Sequence, residues 1–126
     1  MPEYLMFIAD DENQCATLPQ SEIAEHYGKI GAWWAEKERE GHIKAGFGRR
    51  LQPSKSAKTV RVERGSAAVS DGPFVETKEK IGGLFIIEAH DLAEATRVAS
   101  MHPGARLGEH LGWAVEVRPI ADACHQ

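Results

Sequence analysis

The run Leu84-Phe85-Ile86-Ile87, entered through Gly82-Gly83, restricts the fold more than any other segment. Side chains along a strand alternate between the two faces of a sheet, so four consecutive apolar residues read as a central strand buried on both sides. The run is far short of the roughly 20 residues needed to span a bilayer, so protein has to cover both faces. Helices of the same chain can supply one cover. A second copy packed sheet against sheet is the simplest source of the other.

The flanking segments supply the remaining elements. Tyr4 to Ala9 reads as a first strand that stops at Asp10-Asp11-Glu12. Thr17-Leu18-Pro19-Gln20 announces a helix, with Thr17 as cap, Gln20 reaching back and Pro19 in the first turn. Ile23, Tyr27, Ile30 and Trp34 follow at helical spacing as one apolar stripe, and Gly41 provides a stop. Ile43, Ala45, Phe47 and Leu51 then alternate with polar or small residues as a half-buried strand. Pro53-Ser54-Lys55-Ser56 is a loop, and Thr59–Glu63 and Ser66–Ser70 form a hairpin turning at Arg64-Gly65. Asp91-Leu92-Ala93-Glu94 has capping-box spacing and opens a second helix, with Leu92, Ala95, Val98 and Ala99 inward and Pro103-Gly104 ending it. Trp113 to Ile120 is the last strand, with Trp113, Val115 and Val117 on one face.

The order is β, long α, β, an inserted β-hairpin, β, α, β. It predicts a ferredoxin-like α+β domain over residues 1–120, with an antiparallel sheet and both helices on one face. Residues 121–126 form a tail, and two such domains would make a dimeric α+β barrel-like assembly.

With 126 residues, 42% hydrophobic and 27% charged, the chain can build one real core. A net charge of −4 with scattered basic residues argues against nucleic acid and anionic membrane as partners. The N-terminus lacks a basic n-region and a cleavage site, so no signal peptide is expected. Cys15 and Cys124 suit free thiols in a reducing compartment, which together predicts a cytoplasmic protein.

Asp71-Gly72-Pro73-Phe74 is the candidate site segment. Gly72 permits unusual backbone angles and Pro73 fixes its own φ, so the Asp71 carboxylate is held on a stiff turn, with Phe74 shaping a pocket wall. As bare turn chemistry, Asp-Gly would need no function at all. His26 falls about 60° to one side of the apolar stripe, beside Trp33, at about 100° per residue. An imidazole on that border can titrate near neutrality and act as acid or base, or simply be satisfied by a carbonyl or water. Trp33 and Trp34 are core or interface material, and Trp33 is the one assigned to line a pocket. The histidines at 26, 42, 90, 102, 110 and 125 form no metal-ligand spacing, and His102 and His110 flank a Pro/Gly loop in structural or solvated roles. Gly46-x-Gly48 lacks the third glycine and following helix of a dinucleotide loop, and no Gly-x-Ser-x-Gly is present. No metal and no cofactor is assigned. Glu76 to Lys80 alternates in sign, as a solvated face or a partner-binding loop would.

Ser70-Asp71-Gly72-Pro73-Phe74-Val75-Glu76-Thr77-Lys78-Glu79, Gly82-Gly83-Leu84-Phe85-Ile86-Ile87 and Ala114-Val115-Glu116-Val117-Arg118-Pro119-Ile120 resemble the DGPF-domain branch of the YCII-related proteins. The resemblance covers nearly the whole chain. It implies a ferredoxin-like homodimer in which a histidine and an aspartate face a shared pocket, here His26 and Asp71. It also implies an association with extracytoplasmic-function sigma factors. The segment from Met101 to His110 departs from the shorter members. Two functions follow as expectations: a small-molecule-binding protein using an Asp–His pair for cofactor-independent acid/base chemistry, or a non-catalytic regulatory module attached to a sigma factor.

Overall fold

The computed structural model describes residues 1–73, 79–107 and 109–121. Its elements are β1 (Glu3–Asp11), α1 (Glu12–Cys15), α2 (Gln20–Arg39), β2 (Ile43–Arg50), β3 (Lys58–Glu63), β4 (Ser66–Asp71), β5 (Glu79–Glu88), α3 (Leu92–Ser100), α4 (Pro103–Arg106) and β6 (Ala114–Pro119). Short 3-10 turns lie at Ser54–Ser56 and Glu109–Leu111. The architecture is mixed α+β, with one antiparallel four-stranded sheet ordered β2-β5-β1-β6 and a separate β3-β4 ribbon.

The expected central strand is β5, which pairs with β1 along Glu3–Asp11 on one side and with β2 on the other. Tyr4, Met6, Phe85 and Ile87 point inward and pack with Trp33, Ala95, Val98 and Ala99 of the helices. Leu5 pairs with Ile86 and Phe7 with Leu84 on the opposite face, where all four are half-buried.

Several local expectations change for identifiable reasons. Pro19, not Thr17, is the N-cap of α2, and the Thr17 hydroxyl instead donates to Gln14 O at 2.7 Å. Asp11 caps the additional helix α1 by accepting from the Asn13 and Gln14 backbone N–H groups. The alternation over β2 breaks at Gly46, whose φ of +82° belongs to the left-handed region. Beyond that irregularity the inward position passes to Gly48, leaving Phe47 and Leu51 exposed. Asp91 does cap α3, accepting from Glu94 N at 2.8 Å, while the Glu94 carboxylate reaches His90 N–H. Leu92 lies on the exposed side of that helix. Pro103-Gly104 opens α4 instead of marking an end, because Pro103 takes the first helical position, where a missing N–H is harmless. The Arg64-Gly65 turn forms as expected, with positive φ at both residues, as a tight hairpin requires.

Gly48 allows the closest packing in the sheet. A methyl group built there would lie 2.5 Å from Trp34 and 2.6 Å from Phe85, two rings that meet edge to face at 4.9 Å. Gly48→Ala is therefore expected to destabilise the protein by about 1–3 kcal/mol through overpacking, read as a lower urea midpoint at unchanged m-value.

Candidate functional site

The buried side of α2 is not its apolar stripe. His26, Trp33 and Lys37 are the residues that α2 buries, spaced to share one face. Ile23, Tyr27, Ile30 and Trp34 instead form one wall of a cleft of about 1040 Å³. Ile8, Asp10, Gly82, Gly83 and Phe85 of the sheet line it as well, with His26, His102 and Trp113. Arg49, Arg50 and Lys55 also border it, as do Glu12 and Cys15. A volume of this size holds a small organic molecule.

The rim is tied together by polar contacts. The Glu12 carboxylate accepts from Ser54 N and from Ser54 Oγ, both at 2.8 Å, fixing α1 against the 3-10 turn. Leu51 N donates to Gly82 O at 2.8 Å, which joins the end of β2 to β5. The Arg50 guanidinium lies 4.4 Å over the Tyr27 ring, a cation–π arrangement. Arg49 donates to the carbonyls of Gly46 and Gly48, both at 2.7 Å. Trp113 Nε1 donates to Cys15 Sγ at 3.3 Å, and burial raises the Cys15 thiol above its ordinary value.

Polar satisfaction is the informative property of this cleft. Among the described residues, four buried side-chain atoms lack a hydrogen-bond partner: Asp10 Oδ1, His26 Nδ1, His26 Nε2 and His102 Nε2. All three side chains line the cleft. Buried polar groups are normally paired, because leaving one unpaired costs about 1–3 kcal/mol. His26 Nε2 sits 3.6 Å from the Glu22 carboxylate, beyond a hydrogen bond, and its ring meets Trp113 edge-on at 5.1 Å.

Asp10 follows Tyr4, Met6 and Ile8 at the inward positions of β1. The β1–β5 register shifts between Ile8 and Ala9, skipping Gly82 on β5, and a Cβ there would lie 3.2 Å from Asp10 Oδ2. The bulge and its missing side chain thus make room for the carboxylate. Burial raises the Asp10 pKa to about 6, helped by the negative charges of Glu12 and Asp11. Such a group exchanges protons near neutrality.

The expected site residues separate. His26 lies in the cleft. Asp71 ends β4 in the ribbon, ion-paired with Lys58, with its side chain 85% exposed. It is not among the residues lining the cleft, so the single chain does not bring Asp71 and His26 together. Gly72 has the expected positive φ, 92°, and its backbone N–H and C=O are held by Ala57 O and Thr59 Oγ1. Pro73 is half-buried and also outside the cleft lining. Trp33 is a core residue whose Nε1 donates to Val98 O, and its neighbour Trp34 takes the cleft position. Phe74 and the first three residues of the charged segment 76–80 lie outside the described residues, as does Cys124. No group of three or more His, Cys, Asp or Glu side chains among the described residues is placed to hold a metal ion. No helix among them is long and apolar enough to cross a membrane.

Asp10 was not singled out from sequence because an acid at a strand end reads as punctuation. The available signal was its spacing, two residues beyond Ile8 on the inward face. An acid whose pKa is raised on folding favours the folded state below its unfolded pKa, and that contribution is lost as pH rises through the folded value. Asp10→Asn removes the buried charge, so it is expected to raise the melting temperature at pH 7.5, with the gain shrinking toward pH 4. Paired thermal melts across that range check it.

The YCII-related domain family matches residues 3–121. A protein of Rhizobium meliloti (strain 1021), described only as uncharacterised, is 39% identical over 72 residues. That match covers 57% of this chain and 56% of the relative, so it spans little more than half of either. The family match takes in β1, the cleft residues of α2 and β5, and the last strand. On that coverage, the chain belongs to the YCII-related family.

Proposed function

We propose that the protein binds a small molecule in the α2–sheet cleft and moves a proton on it without a cofactor, using His26 and Asp10 as the acid–base pair. The observation that carries this reading is the gathering of every unpartnered buried side-chain atom among the described residues into one cleft. Groups left unsatisfied by the protein gain hydrogen bonds when a polar ligand enters. A carboxyl with a pKa of about 6 beside an apolar wall has the proton affinity such chemistry needs at neutral pH.

The experiment is a thermal-shift screen of small metabolites, followed by deuterium uptake into each stabilising compound in D2O. Binding to the native state raises the melting temperature. His26→Gln and Asp10→Asn are each expected to slow uptake about 100-fold, the usual weight of one acid–base group. Asp71→Asn is expected to stay within about twofold, far short of the roughly 100-fold loss that removing an acid–base group produces, because its carboxylate stands exposed on the ribbon outside the cleft. Full activity in Asp10→Asn with loss in Asp71→Asn would return the acid role to Asp71.

The strand order and the burial of one sheet face beneath the helices support a ferredoxin-like domain. We further propose that a second copy covers the other face, as a barrel-like homodimer. Leu5, Phe7, Leu84 and Ile86 form its apolar strip, and Glu116 and Arg118 of β6 stand beside it as register partners of Phe7 and Leu5. Glu116 and Arg118 pair with each other at 2.7 Å, so the apolar strip has a neutralised edge to offer a second copy about a two-fold axis. Sedimentation is expected to give a dimer, and Phe7→Glu a folded monomer or a dimer weakened at least tenfold, since burying an unpaired charge costs several kcal/mol. A wild-type monomer at high concentration would remove the assembly.

A further inference from the structure

His102 is the deepest polar group of the cleft, 1% exposed, and the acid–base pair does not use it. We propose that His102 anchors the ligand: its Nε2–H donates a hydrogen bond to a carbonyl oxygen of a small molecule whose apolar body lies against Trp34, Phe85 and Trp113. This rests on the cleft being a ligand site, and it names the chemical class the site takes.

The geometry fixes which ring nitrogen carries the proton. Gly104 N–H donates to His102 Nδ1 at 2.8 Å, so Nδ1 is an acceptor and the neutral ring holds its hydrogen on Nε2. A Cβ at Gly104 would sit 3.0 Å from Nδ1, so the absence of a side chain there permits this close approach. The ring is clamped edge-on by Trp33 at 4.8 Å and tilted against Phe85 at 6.3 Å. Nε2 is the atom left without a partner. The side chain is thus a clamped donor with one free valence on a residue that lines the cleft; Nε2 is itself closed to solvent, so a ligand oxygen meets it where the cleft side chains yield by a small movement.

Charge selects a carbonyl over a carboxylate. Burial pushes the His102 pKa down to about 4, so the ring is uncharged at neutral pH. Arg49 is engaged by two backbone carbonyls, Arg50 lies over Tyr27 and Lys55 borders the cleft, while Asp10 and Glu12 set negative charge against them in the same lining, and His102 itself adds no charge. A neutral donor matches a neutral acceptor, and it also stabilises the oxygen if charge develops there during proton transfer. The aromatic and branched lining accounts for an apolar body.

Acetophenone and ethylbenzene share an aromatic body and differ by the carbonyl, which makes them a matched probe pair. Titration of each into ¹⁵N-histidine- and ¹⁵N-tryptophan-labelled protein is followed by NMR. The free protein is expected to show one protonated and one unprotonated His102 ring nitrogen. Acetophenone is expected to bind three- to tenfold more tightly than ethylbenzene, the contribution of one neutral hydrogen bond, and to shift the Nε2–H signal. His102→Phe should erase the preference, and His102→Gln, which keeps an N–H donor, should restore part of it. Equal affinities in the wild type, with the Trp113 indole signal shifted by both, would leave the ligand site standing and overturn the role of His102. If neither compound moved that indole signal, the ligand-site reading itself would fall, and the anchor with it. A doubly protonated His102 at neutral pH would overturn the anchor on the free protein alone.

Discussion

The antiparallel pairing of β1 with β5 is the interaction on which the rest of the structure depends. Its register, Tyr4 opposite Ile87 and Met6 opposite Phe85, places four large apolar side chains under the helices. A slip of one residue would turn all of them outward. The same pairing directs Leu5, Phe7, Leu84 and Ile86 to the opposite face. At its far end the register skips Gly82, and the space left there receives the Asp10 carboxylate. Core, open face and acid are therefore consequences of one ladder.

The cleft combines features that work against stability. It keeps an acid with a raised pKa, two histidines with unpartnered nitrogens and a set of uncovered aromatic rings in one place. Asp10 and His102 also respond to pH with opposite sign. The raised pKa of Asp10 makes its contribution fall as pH rises toward about 6, whereas the depressed pKa of His102 makes its contribution fall as pH drops from about 6.5 toward 4. Over that shared window the two partly offset each other.

Much of the architecture was legible in the sequence, since strand alternation, helix caps and the Arg64-Gly65 turn are local physics. Helical spacing marks the long helix, yet it does not set which side of that helix is buried. Ile23, Tyr27, Ile30 and Trp34 repeat at core spacing, and the structure makes them a cleft wall while burying His26, Trp33 and Lys37. Periodicity reports that a face is apolar, and it does not say whether protein or a cavity lies opposite. The Asp-Gly-Pro-Phe turn was prominent for the same local reason: rigid turns are visible in sequence. Its carboxylate stands exposed on the ribbon beside Lys58, whereas the acid in the cleft, Asp10, carries no local mark.

The sequence by itself determined the order of the main strands and helices, the apolar character of both faces of Leu84–Ile87 and the membership that residues 3–121 carry, because these reside in spacing and composition along the chain. Only the tertiary structure decided which polar groups meet. Asp10, His26 and His102 come from β1, α2 and the entrance to α4, and no separation along the chain relates them. The bulge at Gly82 makes room for Asp10, and the rings of Trp33 and Phe85 close on His102. Those are packing events between distant segments, and sequence pattern is silent on them until the sheet has closed.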